Sequence, residues 1–225
     1  MRKIIKPISR EDNFYYMLIS LILLLFSNAC IEQFFLDSLF IHELFTLLTI
    51  TSMSISIFGL RSSGIAFKSA IGLIITIIVM TTLITNFREA DLAITQLVLM
   101  LIFFSMQIKL AIQQVLFSSD KITGNSLAGS ICIFLLLGII WLLLYSITIE
   151  LMPNSFSGLP QDTWPGNFSG IIYYSFVTLT TLGFGDILPL SPTARFLTYM
   201  EAIVGVFYMA IFVSSLVGAA MQRKS

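Results

Sequence analysis

Thr178-Leu179-Thr180-Thr181-Leu182-Gly183-Phe184-Gly185-Asp186 sets two glycines at alternate positions directly after a short apolar run. Glycine takes positive φ at little cost, so alternate glycines let the backbone alternate in handedness. Such a backbone can turn successive carbonyls to one side. The run before it, residues 168–180 (FSGIIYYSFVTLT), is too short to cross a bilayer. An apolar segment of about 10–14 residues reads as re-entrant or buried rather than spanning. Irregular backbone at membrane depth must be buried in protein or line a wet cavity. Four such strips around an axis would stack rings of carbonyl oxygen, which can replace the hydration shell of a monovalent cation.

The rest of the chain supplies the membrane. Of its 225 residues 57% are hydrophobic and 11% charged, against about 25% charged in an average soluble domain. Too little polar surface is left to cover a water-soluble globule. A soluble enzyme, a nucleic-acid binder and a disordered chain are excluded on that ground. Six apolar stretches are long enough to span: 14–36, 39–60, 65–86, 91–117, 126–151 and 193–221. Cys30 and Cys132 each lie inside an apolar run, and His42 is the single histidine. They make no metal site.

Sidedness follows from Lys and Arg. Arg2, Lys3, Lys6, Arg10, Arg61, Lys68, Lys109, Lys121, Arg223 and Lys224 fall on one side of a six-span layout, and Arg88 and Arg195 on the other. Both termini are therefore expected in the cytoplasm. Asp37, Glu43, Glu89, Asp91, Glu150, Asp162 and Asp186 gather on or near the opposite loops. The re-entrant segment is expected to dip in from that acidic, outer side. Ser191 and Pro192 form a helix-start signal for the last span. Asn167 reads as a cap of the re-entrant helix.

Thr181-Leu182-Gly183-Phe184-Gly185-Asp186 resembles the selectivity filter of the potassium-channel pore family, whose pattern is Thr-Val-Gly-Tyr-Gly-Asp. Tyr173 and Tyr174 stand where that family has a paired-aromatic cuff. Thr178, Thr180 and Thr181 match its threonine-rich run, Pro189 and Arg195 its outer turn, and Gly205 its inner-helix hinge. The resemblance covers residues 126–222. It implies an all-α membrane protein with six transmembrane helices, one re-entrant pore helix and a filter loop, assembled as a homotetramer. Residues 1–122 would be a sensor-like four-helix bundle. Residues 123–225 would be the pore domain, with outer helix 126–151, pore helix 168–180, filter 181–186 and inner helix 193–221.

The resemblance further implies that the carbonyls of Thr181, Leu182, Gly183 and Phe184 coordinate dehydrated K+, with the Thr181 hydroxyl at the innermost site and Asp186 ringing the outer mouth. Gly185 completes the filter. No cofactor is implied; K+ is the permeant ion and the bilayer the surroundings, most simply a bacterial inner membrane. Leu182 for valine changes shape alone. Phe184 for tyrosine removes the hydroxyl that ties the family's filter to its cuff, which opens a second reading as a weakly selective cation channel. A third is a non-conducting auxiliary channel subunit. A transporter would show broken helices in two related halves, and this chain has one re-entrant element.

Four spans before a pore resemble a voltage-gated layout, whose fourth span bears an arginine at every third position. Here that span holds one cation, Lys109, near its cytoplasmic end. Steep gating needs roughly 3–4 charges per subunit, so a steep voltage sensor is not expected. Seven residues follow Gly218, and any ligand gate is expected to act at the filter, through the helices or through another protein. Glu201 lies in the apolar last span, one helical turn before Gly205. An intramembrane carboxylate marks function or a buried partner. Its expected partners are the hydroxyls of Tyr174, Ser175 or Thr178, as filter support.

Overall fold

A computed structural model describes residues 13–34, 64–87, 90–117, 124–159 and 164–214. Helices α1 (Asn13–Phe34), α2 (Gly64–Phe87), α3 (Ala90–Phe117) and α4 (Gly124–Leu151) precede the segment that carries the glycines. A two-residue strand β1 (Phe156–Ser157), helix α5 (Trp164–Leu179), strand β2 (Leu188–Pro189) and helix α6 (Pro192–Phe207) follow. Helix α6 runs on into a π-helical turn, Tyr208–Val213. The expected span at 39–60 lies outside the described residues. Among the described residues three helices are long and apolar enough to cross a membrane: Ala93–Val115, Gly124–Leu151 and Pro192–Ile211. The chain is an integral membrane protein.

The packing follows from apolar stripes. Helix α1 buries Phe14, Met17, Leu21 and Leu24, and α2 buries Ala70, Ile74 and Ile77, at spacings of three and four residues that share one helix face. Their outer faces, with Ile19, Ile22, Leu23, Ile71, Ile75 and Ile78, stay exposed and apolar, as a lipid-facing surface requires. Helix α3 buries Leu97, Met100, Phe104 and Ala111 on one face. Helix α4 sits at the centre and packs on α1, α3, α5 and α6. The Phe14 N–H donates to Asn125 Oδ1 at 3.1 Å, joining α1 to the start of α4. One continuous core therefore runs from α1 through α4 to α5 and α6.

Two expected boundaries move. Helix α5 begins at Trp164 rather than 168, because Pro165 sits inside the first turn, where a missing N–H costs nothing. Asn167 is accordingly buried within that turn and not its cap. With 16 residues, α5 is about 24 Å long, still too short to span. Helix α6 is capped as expected: Ser191 Oγ accepts the Ala194 N–H at 3.1 Å, with Pro192 in the first turn. Its α-helical part stops at Phe207, where hydrogen bonding widens into the π turn. Residues beyond 214, and with them the rest of the expected 193–221 helix, lie outside the described residues.

Candidate functional site

Helix α5 ends by folding its own chain back onto its last turn. The Thr181 N–H donates to the Thr178 carbonyl at 2.9 Å and the Leu182 N–H to the Val177 carbonyl at 2.9 Å. Those two bonds make a Schellman motif, which requires a left-handed residue at its corner. The corner residue is Thr181, at φ 61°. Gly183 and Gly185 follow at φ 59° and 80°, while Leu182 and Phe184 stay at negative φ. The alternation expected from the two glycines thus begins one step earlier, at a threonine. Thr180 Oγ1 donates back to the Phe176 carbonyl at 2.6 Å. All residues from Thr180 to Asp186 are exposed, and Leu182 and Phe184 carry 60% and 65% of their full exposure. The strip presents one open face along its whole length.

Its back is tightly built. Strand β1 pairs antiparallel with β2, Phe156 opposite Pro189 and Ser157 opposite Leu188. The Leu190 N–H adds a bond to the Ser155 carbonyl at 2.8 Å. Gly158, at φ 85°, has its Cα so close to the Asp186 carbonyl that a β-carbon would overlap it. Arg195 Nε donates to the Pro189 carbonyl at 3.2 Å, which joins the two residues of the expected outer turn. The chain leaving the strip is thereby pinned to the segment leaving α4.

Tyr173 and Tyr174 do not form one cuff. Adjacent residues on a helix point about 100° apart, and the two rings go to different places. Tyr173 is on the open side, stacked on Phe184 with centroids 6.4 Å apart and planes within 5°. Its hydroxyl interacts with the Asp186 carboxyl and holds it below the usual carboxylate range. Asp186 Oδ1 also accepts the Ile187 N–H at 3.1 Å. Tyr174 turns inward, into an edge-to-face cluster with Tyr145 and Phe156 at 5.1 and 5.4 Å. Its hydroxyl lies 2.7 Å from Thr198 Oγ1 on α6. Thr198 spends its own proton on the Ala194 carbonyl, so Tyr174 is the donor.

Glu201 is fully buried and is hydrogen-bonded to two helices: to Tyr145 of α4 at 2.5 Å through Oε2, and to Ser175 of α5 at 2.6 Å through Oε1. Ser175 was among the expected partners; Tyr145 was not. A lone phenol inside an apolar span does signal a polar partner, but the sequence does not say which. Gly205 packs directly under the end of α5: a β-carbon there would overlap the Leu179 carbonyl. Beside its expected hinge role it therefore has a close-packing one. Thr178 is buried beneath the strip. Residues 155–158, Gly138 and Thr198 complete the support and gave no separate signal in the sequence.

Residues 129–222 match the family model described as "Ion channel". This stretch is similar to an ion-channel domain. It contains the whole strip, α5, α6 and most of α4. A stretch of 63 residues is 34% identical to the inward rectifier potassium channel Kirbac3.1 of Paramagnetospirillum magnetotacticum, covering 28% of this chain and 21% of that protein. The match thus spans about a fifth of the relative's length. No solved structure matches the chain.

Proposed function

We propose that four copies of this chain assemble around one axis into a pore that conducts K+ passively, each subunit contributing one strip. The observation that carries this reading is the strip itself. Its φ values alternate through Thr181, Gly183 and Gly185, its front is open, and its back is pinned to α4, α5 and α6. Carbonyls of Thr181, Leu182, Gly183 and Phe184 would replace the water around K+, with the Thr181 hydroxyl innermost. Each α5 would turn its negative C-terminal end, about −0.5 charge, toward the axis. Four Asp186 carboxylates would gather cations at the outer mouth. Exposed apolar residues on α6, among them Tyr199, Ile203, Val206 and Phe207, supply the surface for neighbouring copies. Cyclic symmetry follows from one strip per chain.

Residues 1–122 would complete a six-span subunit with both termini cytoplasmic, and residues 123–225 the pore. One charge moved across the membrane is worth about 2.3 kcal/mol per 100 mV. The fourth span, α3, offers Lys109, which is exposed, so the bundle gives no steep voltage dependence. Purified protein in liposomes loaded with K+ is expected to release it down its gradient, blocked by Ba2+, and to run as a tetramer by native mass. A tetramer that releases no K+ would instead support an auxiliary subunit.

A further inference from the structure

The strongest remaining observation is a count of protons around Ser175. Its Oγ lies 2.6 Å from Glu201 Oε1 and 2.9 Å from the carbonyl oxygen of Gly138 on α4. The approach to Gly138 is close because that residue has no side chain; a β-carbon would come within 2.6 Å of the Phe176 ring. A serine hydroxyl has one proton to give. If Glu201 were ionised, both neighbours of Ser175 would be acceptors, and one would face its lone pairs. Ser175 and Glu201 are both fully buried, and although the Gly138 carbonyl keeps its bond within α4, two acceptor oxygens in close contact with no proton between them repel strongly in so low a dielectric. Oε2 is already served by the Tyr145 hydroxyl. One assignment satisfies every contact. Glu201 is protonated on Oε1 and donates to Ser175, Ser175 donates to the Gly138 carbonyl, and Tyr145 donates to Oε2. The short separations fit a neutral acid and a carboxylate alike; the proton count decides between them.

The surroundings agree. Among the described residues the titratable groups that interact with this carboxyl are the phenols of Tyr145 on α4 and Tyr174 on α5. On its own helix, Arg195 is exposed and engaged with Pro189. Two further hydroxyls nearby are committed elsewhere, Thr198 to Ala194 and Tyr174 to Thr198.

We propose that Glu201 is held as a neutral carboxylic acid, and that its proton positions the pore helix by completing a chain from α6 through Ser175 of α5 to Gly138 of α4. When the proton leaves to hydroxide, Ser175 must turn to the carboxylate and the tie to α4 is lost. The pore helix carries the strip, so the strip loosens with it. Glu201 is a positioning residue, and this inference rests on the conduction reading above. The prediction is a K+ flux that falls as pH rises.

Infrared difference spectra of the full chain in liposomes separate the two claims. Wild type at neutral pH is expected to show the carbonyl stretch of a protonated carboxylic acid that is absent from Glu201→Gln. Tyr145→Phe, which removes the donor to Oε2, is expected to move that band to higher frequency, so the assignment does not depend on one variant. K+ flux should fall over the pH range in which the band disappears. In Glu201→Gln the amide donates to Ser175 as the acid does, so flux should persist with no alkaline fall. Glu201→Ala and Ser175→Ala should lose flux by about tenfold or more. No such band in wild type at neutral pH would overturn the proposal, whether or not the protein conducts. A Glu201→Gln protein that kept the alkaline fall would overturn it as well. The band without any K+ flux would overturn the conduction reading and, with it, the positioning role.

Discussion

Thr181 is the residue at which the strip is made. A β-branched residue at positive φ is uncommon, and the strain is on the order of 1–3 kcal/mol. It is held there by the two bonds that close α5, from Thr181 to Thr178 and from Leu182 to Val177. Among the described residues no atom lies within 4 Å of a β-carbon at Gly183 or Gly185, so an alanine there is opposed by backbone conformation, by about 1–2 kcal/mol in each chain. Gly183→Ala and Gly185→Ala are therefore expected to insert and assemble yet lose K+ flux. Wild-type flux in an assembled Gly183→Ala protein would contradict the alternating strip. The alternation at the glycines was legible in the sequence. Its start at Thr181 was not, because nothing about a threonine announces left-handed backbone. A second expectation concerns the mouth. The Tyr173 hydroxyl lowers the pKa of Asp186, so Tyr173→Phe should raise it. The mouth would then lose its charge at higher pH, and inhibition of flux by external acid should shift toward neutral in Tyr173→Phe. An unchanged acid profile would mean that Asp186 does not govern the mouth.

At the level of elements, α5 is held between α4 and α6 by contacts that need small residues. The Leu179 carbonyl rests on Gly205, and Phe176 crosses Gly138. Gly205→Ala should push the end of α5 off α6 and reduce flux strongly. Gly72→Ala on α2 is the matched control. Among the described residues no atom lies within 4 Å of its β-carbon position, so it should leave flux unchanged and stabilise α2 by about 0.5–1 kcal/mol. Equal effects of the two on flux and thermal stability would argue against close packing at Gly205. Long apolar helices were readable from composition, and the cap at Ser191 and Pro192 from a local signal. The start of α5 was misplaced because the apolar run begins only at Phe168, whereas the helix opens at Trp164 with Pro165 in its first turn. The π turn at Tyr208–Val213, where the Tyr208 hydroxyl donates to the Ser130 carbonyl at 2.5 Å, had no sequence signature. Pairings across elements, such as Tyr145 with Glu201 or Gly158 behind Asp186, depend on tertiary approach, which residue order does not contain.

Across the whole molecule one asymmetry stands out. Helices α1 and α3 pack on α4 of the same chain; in the proposed assembly each subunit would carry its bundle against its own pore half. Among the described residues the other side, with the strip and most of α6, is exposed. Membrane character was legible from composition, and the strip from a six-residue motif; the acidic outer side and the pore belong with the proposal. The span at 39–60 lies outside the described residues, and the six-span count belongs with the proposal. The central claim is that this strip passes K+ in preference to Na+, although Phe184 has no hydroxyl to brace it. In its place Tyr173 stacks on Phe184 and interacts with Asp186, so one side chain holds two points of the strip. The decisive measurement is the reversal potential of the reconstituted protein with K+ on one side of the bilayer and Na+ on the other. A reversal close to the K+ equilibrium potential is the predicted result; a reversal near zero, with current flowing equally in K+ and Na+, would contradict it.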